Sequence, residues 1–333
     1  MSRRFAELAR RWWSGELGAA GTALHIALAP IEAAYRLVTG LRNRAYDSGM
    51  LSTAAARVPV ISIGNIAVGG TGKTPFTSWL AVRLEARGQR PAIVHGGYAA
   101  DEPALHRAWT PHIPVFVDRD RIRAVQQAEA AGARVVLLDD AYQHRRLRRD
   151  LDIVLVSVER WSAVGRLLPR GPWREPPAAL VRAGLIVCVR KTPAVEASAS
   201  LAASLSAITN RPVVRAHLRP ATWQRGGAPA DAPSGPALLV AGLADPTLFS
   251  ANVRAAGIAV TTEMMFPDHH EYSAADIERV REAAHGRAIV TSAKDWIRLS
   301  GRLDPAQTWV LTQELVLEEG EALLDEALER VLR

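Results

Sequence analysis

The sequence predicts an α/β protein with a doubly wound parallel sheet, followed by a second, smaller α/β domain. Short apolar runs typical of buried strands alternate with helical stretches along the 333 residues. This alternation favours parallel strands covered by helices on both faces. A glycine-rich turn joins the first of these strands to a helix. The composition changes at 221–236, where Gly, Pro, Ala and Asp are concentrated, so two domains are expected.

Apolar periodicity places the individual elements. Strands are expected at 58–63, 91–94, 115–117, 134–138, 153–158 and 185–189, with helices at 73–87 and 121–131. After the break, strands are expected at 237–241, 258–265, 288–291 and 308–311, with helices at 246–256, 273–285 and 318–332. We therefore predict membrane-associating helices at 1–45, a larger domain at 46–220, a linker at 221–236 and a smaller α/β domain at 237–333.

Charge and composition limit the classes of partner. The formal net charge of +7 indicates an anionic partner, such as nucleotide phosphates, nucleic acid or an acidic membrane surface. No stripe of aromatic residues interleaves with the basic ones, so nucleic acid is not expected as a partner. The single cysteine, Cys188, lies in an apolar run, which excludes an internal disulfide and a zinc site made of several thiolates.

Basic and aromatic residues open the chain. They are Arg3, Arg4, Arg10, Arg11, Trp12 and Trp13, and a moderately apolar stretch follows at 17–38. Because His25, Pro30 and Glu32 interrupt this stretch, it is too broken for a membrane span, which needs about 20 apolar residues. Tryptophan rings favour the headgroup level and arginines favour lipid phosphates, so the sequence predicts an interfacial helix on an anionic membrane. An amphipathic helix packed on its own domain and a transmembrane helix are the alternatives.

The strongest motif is the turn after the first strand, which reads GNIAVGGTGKTP at 64–75. The residues expected to bind phosphate are Gly69, Gly70, Thr71, Gly72, Lys73 and Thr74. Glycines let backbone N–H groups point at phosphate oxygens, and the following helix N-terminus adds a favourable dipole. Lys73 is expected to contact the β- and γ-phosphates of ATP, and the Thr74 hydroxyl to bind Mg²⁺. The motif predicts a P-loop domain, although Ala67 replaces the first glycine of the strict spacing.

Two acids, Asp139 and Asp140, follow the apolar strand at 134–138. A carboxylate at the end of a neighbouring strand is what a Mg-nucleotide site needs, and the first of the pair most simply reaches the metal. Its neighbour could hold the ion, the attacking hydroxyl or a backbone turn. A basic run follows at 144–149, either as a solvated loop or as a contact for phosphate or an anionic substrate.

Several segments together resemble one family, the tetraacyldisaccharide 4'-kinases. Besides the phosphate loop, the matching segments are DDAYQHRRL at 139–147, LLPRGPWREP at 167–176, AGLADP at 241–246, FPDHHEY at 266–272 and TSAKD at 291–295. The resemblance covers nearly the whole chain. It implies transfer of the γ-phosphate of ATP to the 4'-hydroxyl of a lipid-linked disaccharide, on the cytoplasmic face of the bacterial inner membrane.

The resemblance also implies roles for individual residues. Asp101 is the candidate general base and His269 its partner, with His270 as the alternative. Arg121 and Arg174 are expected to neutralise charge on the transferring phosphoryl group. From the residues alone, Asp101 could instead cap a helix that starts at Pro103, and the histidine pair could be a zinc half-site without a third ligand.

Two features of the sequence leave alternatives open. Lys294 and Asp295 could stabilise the smaller domain or approach the nucleotide. At 95–100 the chain reads HGGYAA, whereas family members usually carry an arginine and a longer excursion there. Because Gly96 replaces that arginine, a catalytically weakened nucleotide-binding homologue is the alternative function, with His95 as a candidate to compensate. A P-loop enzyme acting on a soluble carboxylate is a further alternative.

Overall fold

The structure, a computed structural model, describes residues 8–9, 11–13, 15–98, 100–162 and 165–332. Arg3, Arg4, Arg10 and Ala99, which entered the sequence analysis, lie outside the described residues. The chain forms two compact units. The first comprises Met1–Gly97, His112–His217 and Val316–Arg333, and the second comprises Tyr98–Pro111 and Leu218–Leu315.

The helices and strands alternate along the chain as expected for an α/β protein. In chain order they are α1 (Gly18–Ala27), α2 (Ala29–Asp47), β1 (Val60–Gly64), α3 (Lys73–Ala86), β2 (Pro91–His95), α4 (Asp101–Trp109), β3 (Val115–Val117), α5 (Arg121–Ala130), β4 (Val135–Asp139), β5 (Leu151–Ser157), a 3-10 helix (Pro177–Arg182), β6 (Leu185–Arg190), α6 (Val195–Thr209), β7 (Val213–Arg225), β8 (Ala228–Ala230), β9 (Ala237–Ala241), α7 (Pro246–Ala255), β10 (Val260–Met265), α8 (Ala274–Ala284), β11 (Ala288–Ser292), α9 (Ala293–Leu299), β12 (Thr308–Glu319) and α10 (Glu321–Leu332).

A parallel sheet forms the centre of the first unit, with the strand order β7-β6-β5-β1-β4-β2-β3. Every residue of β1, β2, β4 and β6 is buried, as expected where helices cover both faces. β1 lies between β4 and β5, so loops after these three strands emerge side by side. The carboxyl end of such a sheet is where open α/β folds bind ligands. The predicted doubly wound parallel sheet is therefore confirmed.

The strands of the second unit also pair in parallel, in the order β10-β9-β11-β12. Two clusters of buried apolar side chains lie against β9, one formed with α7 and the other with α8. α4, which lies between β2 and β3 in the sequence, belongs to this unit and packs on α9. β7 and β12 contribute residues to both units.

The units differ from the predicted domains at three places. The segment 221–236, predicted as a linker, contains the end of β7 and the strand β8, which pair antiparallel. Trp223 of this segment is partly buried against the apolar cluster formed by β9 and α7. α10 belongs to the first unit, where Arg83 forms ion pairs with Glu321 and Asp325. The third difference is α4. Sequence patterns along the chain do not show that a segment packs with a unit formed by distant residues, as α4 and α10 do.

Residues 18–47 form two helices, α1 and α2, and not one interrupted helix. Pro30 lies in the first turn of α2, where its missing N–H costs no hydrogen bond. Trp12 is buried and donates its indole N–H to the Gly21 carbonyl at 3.0 Å. The expectation that Trp12 lies at a membrane interface is therefore wrong, since its ring packs inside the protein. Among the described residues, no helix is both long and apolar enough to cross a bilayer.

Candidate active site

The phosphate loop connects β1 to α3 and is shaped by two glycines. Gly72 precedes α3 with a φ of +89°, a left-handed conformation that glycine adopts without strain. At the end of β1, a Cβ atom on Gly64 would lie 2.5 Å from the Cβ of Tyr142, so only glycine fits there. Asn65 donates its side-chain amide to the Thr71 hydroxyl at 2.9 Å, which ties the start of the loop to its end. The loop thus leads into a helix N-terminus, an arrangement that binds anions.

Asp139 ends β4 and lies beside the start of α3. The parallel register of β1 and β4 pairs Ile63 with Asp139, so the acid emerges next to the phosphate loop. Its buried carboxylate accepts hydrogen bonds from the Thr74 hydroxyl at 3.1 Å and the Thr77 hydroxyl at 3.3 Å. A hydroxyl and a carboxylate placed together are the protein ligands that Mg²⁺ takes in P-loop enzymes. The geometry favours Asp139 as the acid nearer to a bound metal.

Asp140 faces two cationic side chains. Lys73 Nζ lies 3.6 Å from its Oδ1 atom, and Arg174 Nη1 lies 3.0 Å from the same oxygen. Burial alone would raise the pKa of Asp140, but the charges of Lys73 and Arg174 outweigh it and lower the pKa. Asp140 therefore stays ionised at neutral pH and holds both cations at the phosphate loop.

Arg174 reaches Asp140 from a loop at 165–175 that pairs with the phosphate loop. The backbone N–H of Arg174 donates to the Ile66 carbonyl at 2.8 Å, and that of Val68 donates to the Pro172 carbonyl at 2.7 Å. These two bonds join the backbones of the two loops. The position of the Arg174 guanidinium is therefore fixed relative to the phosphate loop.

The buried face of α2 fixes the same 165–175 loop from a second direction. The buried Glu32 carboxylate accepts hydrogen bonds from the Leu167 N–H at 3.0 Å and from the Arg170 guanidinium at 3.0 Å. The Tyr35 hydroxyl donates to the carbonyl of Arg174 at 3.0 Å. Residues of α2 thus hold the segment that carries Arg174 in place. The apolar pattern of the amino-terminal stretch did not indicate this role of α2.

Arg121 lies behind the acidic pair and is only 3% exposed. Its guanidinium donates to the backbone carbonyls of Asp139 at 3.1 Å and Asp140 at 2.8 Å. These contacts favour a positioning role, because they fix the end of β4 from which both carboxylates project. Direct contact of Arg121 with a phosphoryl group stays a prediction.

The basic run at 144–149 makes contacts within the first unit. Arg145 pairs with Asp47 at 2.7 Å, and Arg149 pairs with Asp152 through two hydrogen bonds of 3.2 and 3.0 Å. These side chains therefore tie the loop to α2 and β5. The idea that this run contacts an anionic ligand gains no support from either arginine.

Asp101 begins α4 in the second unit and is enclosed by other side chains. Its carboxylate is 1% exposed, and His269 Nδ1 lies 2.9 and 3.1 Å from the two carboxylate oxygens. The helix begins at Asp101 itself and has no side-chain cap, so the Asp101 carboxylate does not serve as the cap of a helix starting at Pro103. The structure thus brings together the predicted base and the predicted histidine.

Lys294 and Arg298 complete the surroundings of Asp101. Lys294 Nζ lies 2.7 Å from Asp268 Oδ1, 3.2 Å from His269 Nε2 and 3.7 Å from Asp101 Oδ2. With the proton on Nδ1, His269 donates to Asp101 and its Nε2 accepts from the Lys294 ammonium group, which can only donate. Arg298 Nη2 also lies 3.3 Å from Nδ1. Arg298 forms an ion pair with Asp101 and stands four residues after Lys294 on α9, hence on the same helix face.

These neighbours determine the protonation state of Asp101. Burial alone would raise the pKa of the carboxyl, since burial disfavours the charged form. The hydrogen bond from His269 and the charges of Lys294 and Arg298 outweigh burial and lower the pKa to about 2. Asp101 is therefore a carboxylate throughout the physiological pH range.

His270 has a different partner from His269. Its Nε2 lies 2.9 Å from Asp276 Oδ2, and Asp276 forms the capping box of α8 with Ser273. His270 is buried. The geometry therefore selects His269, not His270, as the histidine that contacts Asp101.

The first unit offers oxygen ligands that fit a Mg-nucleotide. Thr74 and Asp139 provide a hydroxyl and a carboxylate in direct contact, with Asp140 next in the chain. Within the described part of the chain, no group of three His, Cys, Asp or Glu side chains could hold a metal by itself. A Mg²⁺ ion here would thus take most of its remaining ligands from phosphates and water, as is usual for this ion.

The sequence identified some of these residues and missed others. Lys73, Thr74, Asp139, Asp140, Arg121 and Arg174 lie in the first unit, whereas Asp101 and His269 lie in the second. The contact of Lys294 with His269 was not anticipated, although the position of Lys294 two residues after the end of β11 was a signal. Arg298 was missed because a single arginine on a helix carries no motif of its own.

Curated relatives and a family model show which proteins this chain is similar to. The family model described as tetraacyldisaccharide-1-P 4'-kinase, LpxK, matches residues 24–101 and 98–333. A tetraacyldisaccharide 4'-kinase of Anaeromyxobacter dehalogenans is 37% identical over 328 residues, covering 89% of this chain and 85% of the relative. One from Halorhodospira halophila is 37% identical over 310 residues, covering 87% of this chain and 88% of the relative.

A solved structure shows the same similarity in three dimensions. The crystal structure of an "apo" form of LpxK from Aquifex aeolicus in complex with ATP aligns with a TM-score of 0.75 at 28% sequence identity. The alignment covers 93% of this chain and 100% of that one. That relative binds ATP, and its fold extends over both units described above.

Proposed function

Because the chain belongs to the tetraacyldisaccharide-1-P 4'-kinase family, we propose that it transfers the γ-phosphoryl group of ATP to the 4'-hydroxyl of tetraacyldisaccharide 1-phosphate, a step of lipid A biosynthesis. The chain is an enzyme, a kinase that acts on a lipid-linked sugar. The observation that carries the assignment of roles is the buried Asp101 carboxylate held by His269, in a chain that also has Lys73 and Arg174 paired with Asp140.

The first unit supplies the groups that act on the nucleotide. Backbone N–H groups of the phosphate loop and the Lys73 ammonium bind the β- and γ-phosphates. Arg174, which pairs with Asp140, stabilises the negative charge that develops on the transferring phosphoryl group. Thr74 and Asp139 would hold Mg²⁺, which neutralises phosphate charge when bound.

The second unit supplies the groups that act on the sugar. The 4'-hydroxyl donates a hydrogen bond to Asp101, and its oxygen attacks the γ-phosphorus. As the new P–O bond forms and the bond to the β-phosphate oxygen breaks, ADP leaves and the hydroxyl proton passes to Asp101. A carboxylate of low pKa is a weak base, so the proton moves late, as suits a loose transition state. His269 keeps the carboxylate oriented through the contact of its Nδ1 atom with Asp101.

The activity is tested directly with purified full-length protein. Labelled ATP, Mg²⁺ and tetraacyldisaccharide 1-phosphate are combined in mixed micelles, and the phosphate position in the product is determined by NMR. We expect transfer to the 4'-hydroxyl well above that of an Asp101→Ala variant. Transfer no greater than that control would contradict kinase activity and would favour a nucleotide-binding homologue without turnover.

Lys294 is proposed to position the base through His269. We expect Lys294→Met to lower kcat by about 10- to 100-fold, because one charge-assisted hydrogen bond contributes about 1.5–3 kcal/mol. The KM for ATP should stay unchanged. The variant also removes one of the charges that depress the pKa of Asp101, so this pKa should move toward its usual value of 3.8.

The matched control for Lys294 is Arg254→Met, which removes an exposed cation paired with Glu263 in the same unit. Its kcat should equal that of the unmodified protein. Both variants are compared by steady-state kinetics and by thermal unfolding. If Lys294→Met lowers the unfolding temperature but leaves kcat of the folded protein intact, Lys294 is a structural residue only.

We further propose that α2 docks on the cytoplasmic face of the bacterial inner membrane. Opposite its buried Glu32, the helix exposes four apolar side chains, Ile31, Leu37, Val38 and Leu41, which are 53–63% exposed. Arg36, Arg42 and Arg44 are exposed on the same helix. Apolar side chains next to arginines are what a peripheral helix needs on anionic lipid.

The membrane proposal predicts the behaviour of a triple variant, Leu37→Ser, Val38→Ser and Leu41→Ser. Partitioning onto vesicles containing phosphatidylglycerol should fall by at least about tenfold, since each buried apolar side chain contributes about 1 kcal/mol or more. The control replaces Val195 and Ile208, exposed apolar residues of α6, by Ser. Unchanged sedimentation of the triple variant with vesicles would contradict docking through α2.

A further inference from the structure

Lysine is rare in this chain, and every lysine contacts a loop or side chain of the site. Only three of the 41 Lys and Arg residues are lysines, at positions 73, 191 and 294. Lys73 pairs with Asp140, and Lys294 contacts His269. Lys191 has no role in the mechanism above, yet its ammonium group donates to the Gly70 carbonyl of the phosphate loop. Because a compact ammonium and a planar guanidinium are not interchangeable, a lysine in an arginine-rich chain indicates a specific contact.

The position of Lys191 in the sheet indicates which part of a nucleotide it meets. Lys191 directly follows β6, and the strands run in the order β6-β5-β1-β4. Asp139 and Asp140, the acids expected near the terminal phosphate, come at the end of β4. This strand lies on the other side of β1 from β5 and β6. A nucleotide extends from its terminal phosphate through the phosphate loop to its nucleoside. The loops after β5 and β6 therefore lie on the side where the nucleoside is expected.

Glu159, in the turn after β5, holds the Lys191 turn in place. Its Oε1 atom accepts hydrogen bonds from the backbone N–H of Lys191 at 2.6 Å, and from the N–H and hydroxyl of Thr192 at 3.1 and 3.2 Å. Its Oε2 atom accepts one from the Ser157 hydroxyl at 3.0 Å. With its backbone bound to Glu159 and its ammonium bound to Gly70, Lys191 is fixed at both ends. The apolar methylene stem of Lys191 therefore lies between these two contacts, next to the phosphate loop.

We propose that Lys191 forms part of the nucleoside subsite: its ammonium group stays on the Gly70 carbonyl while its methylene stem packs against the nucleoside of a bound purine nucleotide. The inference deepens the ATP-dependent function proposed above and rests on it for the class of nucleotide. It does not depend on the lipid acceptor. It assigns a binding role to a residue outside the phosphate-loop motif.

Amine labelling tests the proposal, because the full chain has only three lysine side chains to compare. Purified protein is acetylated with an amine-reactive ester alone, with MgADP, or with magnesium tripolyphosphate, and each lysine is quantified by mass spectrometry. Both ligands are expected to protect Lys73 by at least about tenfold at saturation. Only MgADP, which carries a nucleoside, is expected to protect Lys191 to that degree.

The outcomes separate this inference from the proposed function. Equal protection of Lys191 by both ligands, or protection by neither while Lys73 is protected, overturns the nucleoside subsite and leaves ATP-dependent catalysis standing. If MgADP fails to protect Lys73, nucleotide binding at the phosphate loop is wrong and both proposals fail.

Substitution provides a second measurement that does not depend on labelling chemistry. Lys191→Ala, which removes stem and charge, is expected to lower MgADP affinity by about tenfold in calorimetry and tripolyphosphate affinity by less than about twofold. Lys191→Met, which keeps an apolar stem, should lose less MgADP affinity. Arg211→Ala, an exposed cation bonded to the Val181 carbonyl, serves as the control with both affinities unchanged. A purely structural Lys191 would change both affinities by the same factor, which would contradict the proposal.

Discussion

Asp101→Asn is expected to lower kcat for 4'-phosphorylation by about 10³-fold while MgATP affinity changes by less than about threefold. Asparagine preserves the size of the side chain and accepts a hydrogen bond from the hydroxyl, but it cannot take the proton. Because the partners of Asp101 are His269, Lys294 and Arg298 of the second unit, whereas the phosphate loop belongs to the first unit, nucleotide binding should be unchanged. The loss should therefore appear in kcat and not in the KM for ATP.

The control for Asp101 is Glu314→Gln, the same change of carboxylate to amide in an ion pair with Arg219 in the second unit. It should leave kcat within about twofold, as expected for a surface pair. Both variants are assayed with saturating lipid and ATP, and folding is verified by circular dichroism. If Asp101→Asn retains more than about a tenth of the kcat, another group accepts the proton.

Lys73→Met is expected to lower kcat/KM for ATP by about 10²- to 10³-fold. Methionine keeps the length of the stem but removes the charge that meets the β- and γ-phosphates. The substitution also removes one of the two cations that lower the pKa of Asp140, so that pKa should rise relative to the unmodified protein. Calorimetry with MgADP should show the loss of affinity without any lipid present.

Arg87→Met serves as the control for Lys73, since Arg87 follows α3 at its other end and pairs with Asp325. Its affinity for MgADP should equal that of the unmodified protein. The contrast separates loss of phosphate binding from a general effect of removing one positive charge. Equal affinities of Lys73→Met and the unmodified protein for MgADP would show that the nucleotide does not bind at this loop.

Local patterns predicted most of the first unit correctly. The strand at 58–63 and the helix at 73–87 correspond to β1 and α3, because burial on both faces and the helix N-terminus leave clear signatures in neighbouring residues. The strands and helices predicted for the second unit were found for the same reason, although β12 continues to Glu319, past the predicted start of the last helix at 318. The helices α4 and α9 and the short strand β8 were not among the predicted elements. α6, at Val195–Thr209, was missed, since its mixture of Ala and Ser gives little apolar contrast.

The sequence by itself determined the phosphate loop, the acids after β4 and the family, because each depends on residues that are adjacent in the chain. Only the tertiary structure decided what surrounds Asp101. His269, Lys294 and Arg298 come from segments more than 160 residues away, and α4 must join the second unit before they meet. It also decided that Trp12 is buried and that Lys191 bonds to Gly70. Contacts between distant segments depend on how the elements pack, and no local periodicity encodes that packing.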